Sequence, residues 1–262
     1  MSGLTPDHGA ASGLDHVGIA GADLDALAEA FSGLGFALTP WAAHASGRTA
    51  NRCVMLRDGG YLELIATVPG QASATIDRFL TSGPGAHILA LEVDDLMAAR
   101  DRLGRAGIDA GDVSITERDA GPDGPRARFG LLMPPDSPDG RVLLIRHLTR
   151  DRLWQPAHTF HANHAVALTE AVYATASPAE TMARLSLLSG RPAEPDPLGG
   201  YRVVLARGCL RFLPLAAAAG LFPGTVGQPR LIGLTIAIDS GGEPGRFVQA
   251  GGVAIRFVPT RP

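Results

Sequence analysis

Three stretches of the chain repeat one hydrophobic pattern, and such repeats define the unit of the fold. LDHVGIAGADLDALAEAFSGLGF (from Leu14), GAHILALEVDDLMAARDRLGRAGI (from Gly85) and NHAVALTEAVYATASPAETMARLSLLSG (from Asn163) each run from a short apolar strand into an amphipathic helix with a Gly stop. Aligned on histidine, the steps are 71 residues from His16 to His87 and 77 residues from His87 to His164. A further step of that size reaches RLIGLTIAIDS (from Arg230), a strand whose following GGEPGRF is too short for a helix. In the first helix Leu24, Leu27, Ala28 and Phe31 fall on one face. Asp23 before the first helix, and Ser177 followed by Pro178 before the third, read as N-terminal caps.

Each helix is followed by apolar, β-branched runs split by turn residues. These are TANRCVML, RDGG and YLELIA in the first repeat; ARFGLLM, PPDSPDG and RVLLIRH in the second; and YRVVLA, RG and CLRFLP in the third. They read as hairpins. The unit is therefore βαβββ, and the expected fold is α+β: tandem βαβββ modules paired into curved sheets around a cavity, the fourth module truncated. The first pair spans about residues 13–150 and carries the site. The second, about 160–262, is read as structural, as a lid-like half or as a dimer surface. Side chains alternate along a strand. His16, Gly18 and Ala20 are expected to face the cavity, with Val17 and Ile19 under the helix. Tyr61, Glu63 and Ile65 look inward, and His87, Leu89 and Leu91 share the inner face of the second module.

Composition narrows the chemistry. The 262 residues carry a formal charge of −3, which favours neither nucleic acid nor an anionic membrane as partner. The sequence contains no lysine, so Schiff-base and P-loop chemistry are excluded. Cys53 and Cys209 cannot form a disulfide framework or a Cys-based zinc site. No apolar run approaches the roughly 20 residues of a membrane span. The N-terminus has neither the basic nor the apolar region of a signal peptide, so a cytoplasmic location is expected.

HVGIA at the start, YLELIA closing the first repeat and AHILALEVDDLMAARDRL opening the second resemble the vicinal oxygen chelate superfamily. That superfamily includes glyoxalase I, methylmalonyl-CoA epimerase and the extradiol ring-cleaving dioxygenases. RHLTRDRLWQPAHTFHANHAVAL further resembles the bridge between modules in bacterial glyoxalase-like proteins. The resemblance covers about residues 13–214. It implies a divalent metal held by side chains on the first and last strands of the paired modules. Carried over, these are His16, Glu63 and His87, while the fourth position falls near Leu143, which is not a ligand. Two imidazoles and one carboxylate suit Fe(II), Mn(II), Co(II), Ni(II) or Zn(II) and leave positions open for a substrate with adjacent oxygens. The implied function is a metal-dependent lyase, isomerase or dioxygenase acting on a small molecule. The alternative is a metal-free protein that sequesters a hydrophobic compound, and a scaffold without a small ligand stands third.

Other candidates depend on local geometry. If Asp58-Gly59 forms a two-residue turn, paired residues sum to 117, and Arg52 and Val54 lie on the Glu63 face, where Arg52 could hold a substrate carboxylate. If the turn is one residue longer, Cys53 and Met55 face inward instead. Tyr61 is placed to donate a hydrogen bond to substrate or to pack at the rim. His147 lies on the Leu143 side of its strand but roughly 13 Å further along, too far to replace the lost ligand. His164 lacks partners for a second metal. The segment from Glu117, with Arg126 and Arg128, reads as a lid or a surface excursion. Trp41 is expected at the cavity mouth and Trp154 between the halves. His8, His44, His158 and His161 read as surface or loop residues.

Overall fold

The computed structural model describes residues 9–119, 126–224 and 230–260. His8 and the centre of the segment that follows Glu117 lie outside the described residues. The first half runs β1 (Ala11–Ala20), α1 (Leu24–Gly33), β2 (Ala42–Ala43), β3 (Thr49–Met55), β4 (Tyr61–Thr67), α2 (Ala74–Leu80), β5 (Gly85–Val93), α3 (Leu96–Arg105), β6 (Ser114–Asp119), β7 (Arg126–Leu132) and β8 (Arg141–His147). These strands form one eight-stranded sheet ordered β2-β3-β4-β1-β5-β8-β7-β6. The edge strands β2 and β6 approach each other, so the sheet curls almost into a barrel. The second half runs α4 (Pro156–Thr159), β9 (Ala165–Thr175), α5 (Pro178–Ser189), β10 (Glu194–Pro195), β11 (Tyr201–Val204), β12 (Cys209–Pro214), α6 (Leu215–Leu221), β13 (Arg230–Ile238), β14 (Phe247–Ala250) and β15 (Val253–Pro259). Its seven strands are ordered β10-β11-β12-β9-β13-β15-β14, and the β13–β15 module has no helix among the described residues. No helix of the described residues is long and apolar enough to cross a membrane.

The module helices α1, α3 and α5 form where the periodicity places them, while α2, α4 and α6 lie in connections outside that pattern. Asp23 caps α1, its Oδ1 accepting from the backbone N–H of Asp25 at 2.8 Å and Ala26 at 3.1 Å, and α1 buries Leu24, Leu27, Ala28 and Phe31. At α5 the expected cap departs from this pattern. Ser177 makes no side-chain cap bond, and Pro178 starts the helix. The Ser177 N–H is instead accepted by Thr175 Oγ1 at 3.1 Å.

One apolar core lies between the two sheets. Val17, Ile19, Leu62, Leu64, Leu89 and Leu91 of the first sheet join Leu168, Leu234, Ile236 and Phe257 of the second, with α1, α3 and α5 contributing Phe31, Leu103 and Leu185. Phe36 bridges the halves, its ring 6.0 Å from Phe257. Polar ties reinforce this junction. Asp58 accepts from the Leu168 N–H, and Arg207 donates to the Leu14 carbonyl and to Glu92. The concave face of the second sheet is filled by α6 and the residue that follows it, through Ala218 and Phe222 against Val172, Leu213, Ile232 and Ala254. The concave face of the first sheet keeps an open cavity.

Candidate functional site

The cavity, about 140 Å³, is lined on one side by His16, His44, Asn51, Tyr61 and Glu63 and on the other by Phe129, Leu131, Leu143 and Ile145, with Arg118 between. Each polar residue arrives there for a local reason. Glu63 and Tyr61 occupy alternate positions of β4, and His16 sits on β1 with its ring stacked on Tyr61, centroids 4.3 Å apart. Asp15 precedes His16 and should point to the opposite face. A β-bulge between Leu14 and His16 breaks the alternation, and Asp15 becomes fully buried against the same histidine.

The buried groups form a ladder of carboxylates and imidazoles. Asp15 Oδ1 lies 2.8 Å from His16 Nδ1, and Asp15 Oδ2 lies 3.1 Å from His147 Nε2. A carboxylate only accepts, so both ring nitrogens facing it carry hydrogens. His16 Nε2 is thereby directed into the cavity, 3.7 Å from Glu63 Oε2. Glu63 Oε1 accepts from Asn51 Nδ2 at 2.5 Å and from His44 Nε2 at 3.2 Å, and His44 Nδ1 rests on Thr49 Oγ1 at 2.8 Å. Burial alone would raise both carboxyl pKa values. His147 and His16 overcome it at Asp15, and His44, His16 and Arg118 overcome it at Glu63, so both are held well below the usual carboxylate range. Burial, with Asp15 and Glu63 beside it, pushes the Tyr61 phenol well up, so Tyr61 enters the site as a neutral phenol.

Two site expectations are corrected. The β3–β4 loop has three residues: Leu56 N–H donates to Gly60 O across Arg57-Asp58-Gly59, and Gly59 takes the left-handed conformation, φ +94°, that such a loop needs. Paired residues therefore sum to 116, Cys53 stands opposite Glu63, and Asn51, Cys53 and Met55 face inward. Arg52 points to the helix side, where its guanidinium meets Asp25 at 3.8 Å, and it cannot hold a substrate in the cavity. His87 is displaced by one residue of phase. Across the β1–β5 ladder His16 pairs with Ala90 and Gly18 with Ile88, so Ile88 and Ala90 take the cavity face and Leu89 and Leu91 the core. A slip of one residue exchanges the faces of a strand. His87 instead stacks on Phe79, contacts Gly83 O at 2.9 Å and borders a separate groove with Arg78, Asp136 and Arg230.

Strand periodicity alone does not mark several groups around the site. His44 comes from the β2–β3 turn, placed by Thr49 and Asn51, and the alternate polar positions in TANRCVM are the signal for it. His147, bonded to Asp15, packs edge-to-face on Trp154, rings 4.9 Å apart, and Trp154 Nε1 donates to Leu56 O. Trp154 thus seals the first pair rather than joining the halves. His161 is buried, receiving the Ala37 N–H and contacting Met55 O. Arg118 crosses the seam from β6 to β3, donating to Asn51 Oδ1 at 2.7 Å and reaching Cys53 Sγ at 3.5 Å. Arg126 and Arg128 lie outside, paired with Glu117.

The residues present do not fit the divalent ion that the resemblance implies. β1 and β4 supply His16 and Glu63, but β5 and β8 supply Ile88, Ala90 and Leu143. His16 and His44 approach opposite oxygens of one carboxylate instead of converging on a common point. Among the described residues no three His, Cys, Asp or Glu side chains are arranged to hold an ion.

The glyoxalase-like domain family matches residues 14–188. A hypothetical protein from Staphylococcus aureus superposes with a TM-score of 0.74 at 13% identity, covering 94% of this chain and 99% of that one. A mutant of 4-hydroxymandelate synthase from Streptomyces coelicolor superposes at 0.55 and 16% identity, covering 88% and 72%. Methylmalonyl-CoA epimerase from Mycobacterium tuberculosis is 27% identical over 55% of this chain and 92% of that one, with a TM-score of 0.38. No curated protein matches the chain. With two thirds of its length matched, including β1, β4 and β5, the chain belongs to the glyoxalase-like domain family.

Proposed function

We propose that the chain is an enzyme of the lyase or isomerase type that moves a proton next to a carbonyl of a small oxygenated substrate. The observation that carries this reading is the arrangement of Asp15, His16 and Glu63. A fully buried carboxylate is spent on fixing one face of an imidazole whose other nitrogen opens on the cavity beside a second, ionised carboxylate. Oriented base pairs of this kind supply roughly 10²–10⁴-fold in proton-transfer reactions. Glu63 Oε2 and His16 Nε2 stand 3.7 Å apart, too far to satisfy each other and close enough to share a substrate. Glu63 takes the proton and passes it to His16 Nε2, and the imidazolium so formed, held opposite Asp15, returns it to the substrate. The cavity size limits the substrate to a few carbon atoms.

The apolar wall of Phe129, Leu131, Leu143 and Ile145 supports a second reading, in which the cavity sequesters an apolar compound without turning it over. Deuterium exchange separates the two. Hydroxyacetone and pyruvate are incubated with chelator-treated protein in D₂O and followed by proton NMR. Protein-dependent loss of the carbon-bound protons, abolished in Glu63→Gln and His16→Ala, is the expected result. No exchange above buffer, with apolar compounds bound, would favour sequestration. Exchange that depends on added Fe(II), Mn(II), Co(II), Ni(II) or Zn(II) would restore the metal-dependent mechanism.

A further inference from the structure

We infer that Arg118 is the electrophile of this site: its guanidinium receives the oxygen on which negative charge develops, in the role that a bound dication would otherwise fill. The inference rests on the proton-transfer reading and adds the group that makes it feasible. Arg118 is buried on β6, yet the atoms it touches directly are neutral, the amide oxygen of Asn51 and the sulfur of Cys53. Asn51 stands between it and Glu63, accepting from Arg118 through Oδ1 and donating to Glu63 through Nδ2. The cation is thus kept near Glu63 without collapsing onto it. A desolvated guanidinium with neutral contacts exerts a strong pull on any anion that enters. Each terminal nitrogen spends one N–H on Asn51 or Cys53 and keeps a second, and Nε–H adds a third, so donors for a pair of oxygens remain.

The charge balance is closed. Glu63 takes the proton of the carbon next to the carbonyl. The C–H electron pair becomes the new C=C bond, and the carbonyl π pair moves onto oxygen. One negative charge leaves Glu63 and arrives on the substrate oxygen, with Arg118 beside both positions. No net charge enters the cavity, and no ion is required. The ligand class is therefore a small uncharged 2-hydroxy carbonyl compound, which loses the proton of its hydroxyl-bearing carbon to form a planar enediol anion.

The test uses acetohydroxamic acid, which is uncharged at neutral pH and shares the planar paired-oxygen geometry of an enediolate. It is titrated calorimetrically into chelator-treated full-length protein. Binding should be unchanged by added divalent ions and weakened about tenfold or more in Arg118→Lys and Arg118→Gln, since each loses the charge-assisted fork. Variants with native circular dichroism that bind within about twofold of the parent would overturn the assignment, as would an absence of binding to the parent. Arg118 also fastens the barrel seam, so its variants can fail to fold. In that event the ¹⁵N spectrum of the parent decides: the probe must shift the Arg118 Nε–H resonance, and an unmoved resonance overturns the inference. The two readings fail separately. Deuterium exchange that survives in Arg118→Gln but not in Glu63→Gln removes the electrophile and keeps the proton transfer. Arg118-dependent binding without any exchange removes the proton transfer, overturns the electrophilic role with it and leaves Arg118 as a binding group for paired oxygens.

Discussion

Asp15→Asn is the substitution that probes the site most sharply, because it keeps the shape of a fully buried side chain and changes only what it can accept. In the parent, Asp15 takes hydrogens from His16 Nδ1 at 2.8 Å and from His147 Nε2 at 3.1 Å. An asparagine retains one accepting oxygen and sets an NH₂ against the second imidazole. One charge-assisted bond is lost, and one ring must change tautomer or turn away. Bonds to charged groups contribute about 1.5–3 kcal/mol each, so the variant should lose about 2–4 kcal/mol of stability at pH 7. The pH dependence gives an internal check. The folded-state pKa of Asp15 is depressed, so its contribution is complete above the unfolded value near 3.9 and disappears as pH falls through the folded one. Urea unfolding, followed by the fluorescence of Trp154 beside His147, should show a wide gap between parent and variant at pH 7 that narrows below about pH 4. Deuterium exchange should fall by at least about a hundredfold, the loss expected when His16, the proton-transfer partner of Glu63, is misoriented. A variant within about 0.5 kcal/mol of the parent at pH 7 would show that Asp15 does not hold the two imidazoles as described. So would a gap that stays constant on acidification.

Three further outcomes follow from contacts outside that pair. His87→Ala should leave deuterium exchange and acetohydroxamic acid binding unchanged and cost about 1 kcal/mol, the Phe79 stack and the Gly83 contact being its main interactions; a loss of exchange in a folded variant would return His87 to the site. Gly18→Ala should destabilise by about 1–3 kcal/mol in thermal unfolding, because a Cβ there would stand 2.8 Å from the Cβ of Ile88 on the neighbouring strand; an unchanged melting temperature would contradict this close approach of β1 and β5. Burial pushes the Cys53 thiol up, so iodoacetamide at pH 8 should label it at least tenfold more slowly in the native chain than in urea, as mass spectrometry of the peptide would show; comparable rates would mean that the cluster of Cys53, Met55, Tyr61 and Leu153 is open to solvent.

The module pattern was legible because it rests on strand and helix periodicity, which local sequence carries. Leu24, Leu27, Ala28 and Phe31 bury one face of α1. Val17 and Ile19 join the core while Ala20 faces the cavity group. His16, Tyr61 and Glu63 line the cavity for the same reason. What periodicity could not supply was phase. Aligning His87 with His16 assumed that the two first strands keep step, whereas the bulges in the β1–β5 ladder shift them by one residue. The side for Arg52 depended on a loop length that Arg57-Asp58-Gly59-Gly60 permits in two ways, and the backbone chose three residues. Asp15 was hidden by the bulge beside it. Arg118 was hidden by sequence distance, since it meets Asn51 only when the sheet curls and brings β6 to β3. Each miss is a consequence of tertiary closure acting on a locally correct strand.

The single core between the sheets also bears on how the molecule comes apart. Phe36, Phe31 and the strand faces of the first half are covered by Phe257, Leu234 and Ile236 of the second, and Arg207 caps the backbone of β1 from across the junction. The half that contains the cavity therefore has no complete interior of its own. Severed after its eighth strand, it would present an oily flank to water and clump, whereas the intact polypeptide should melt in one concerted step that takes the cavity with it.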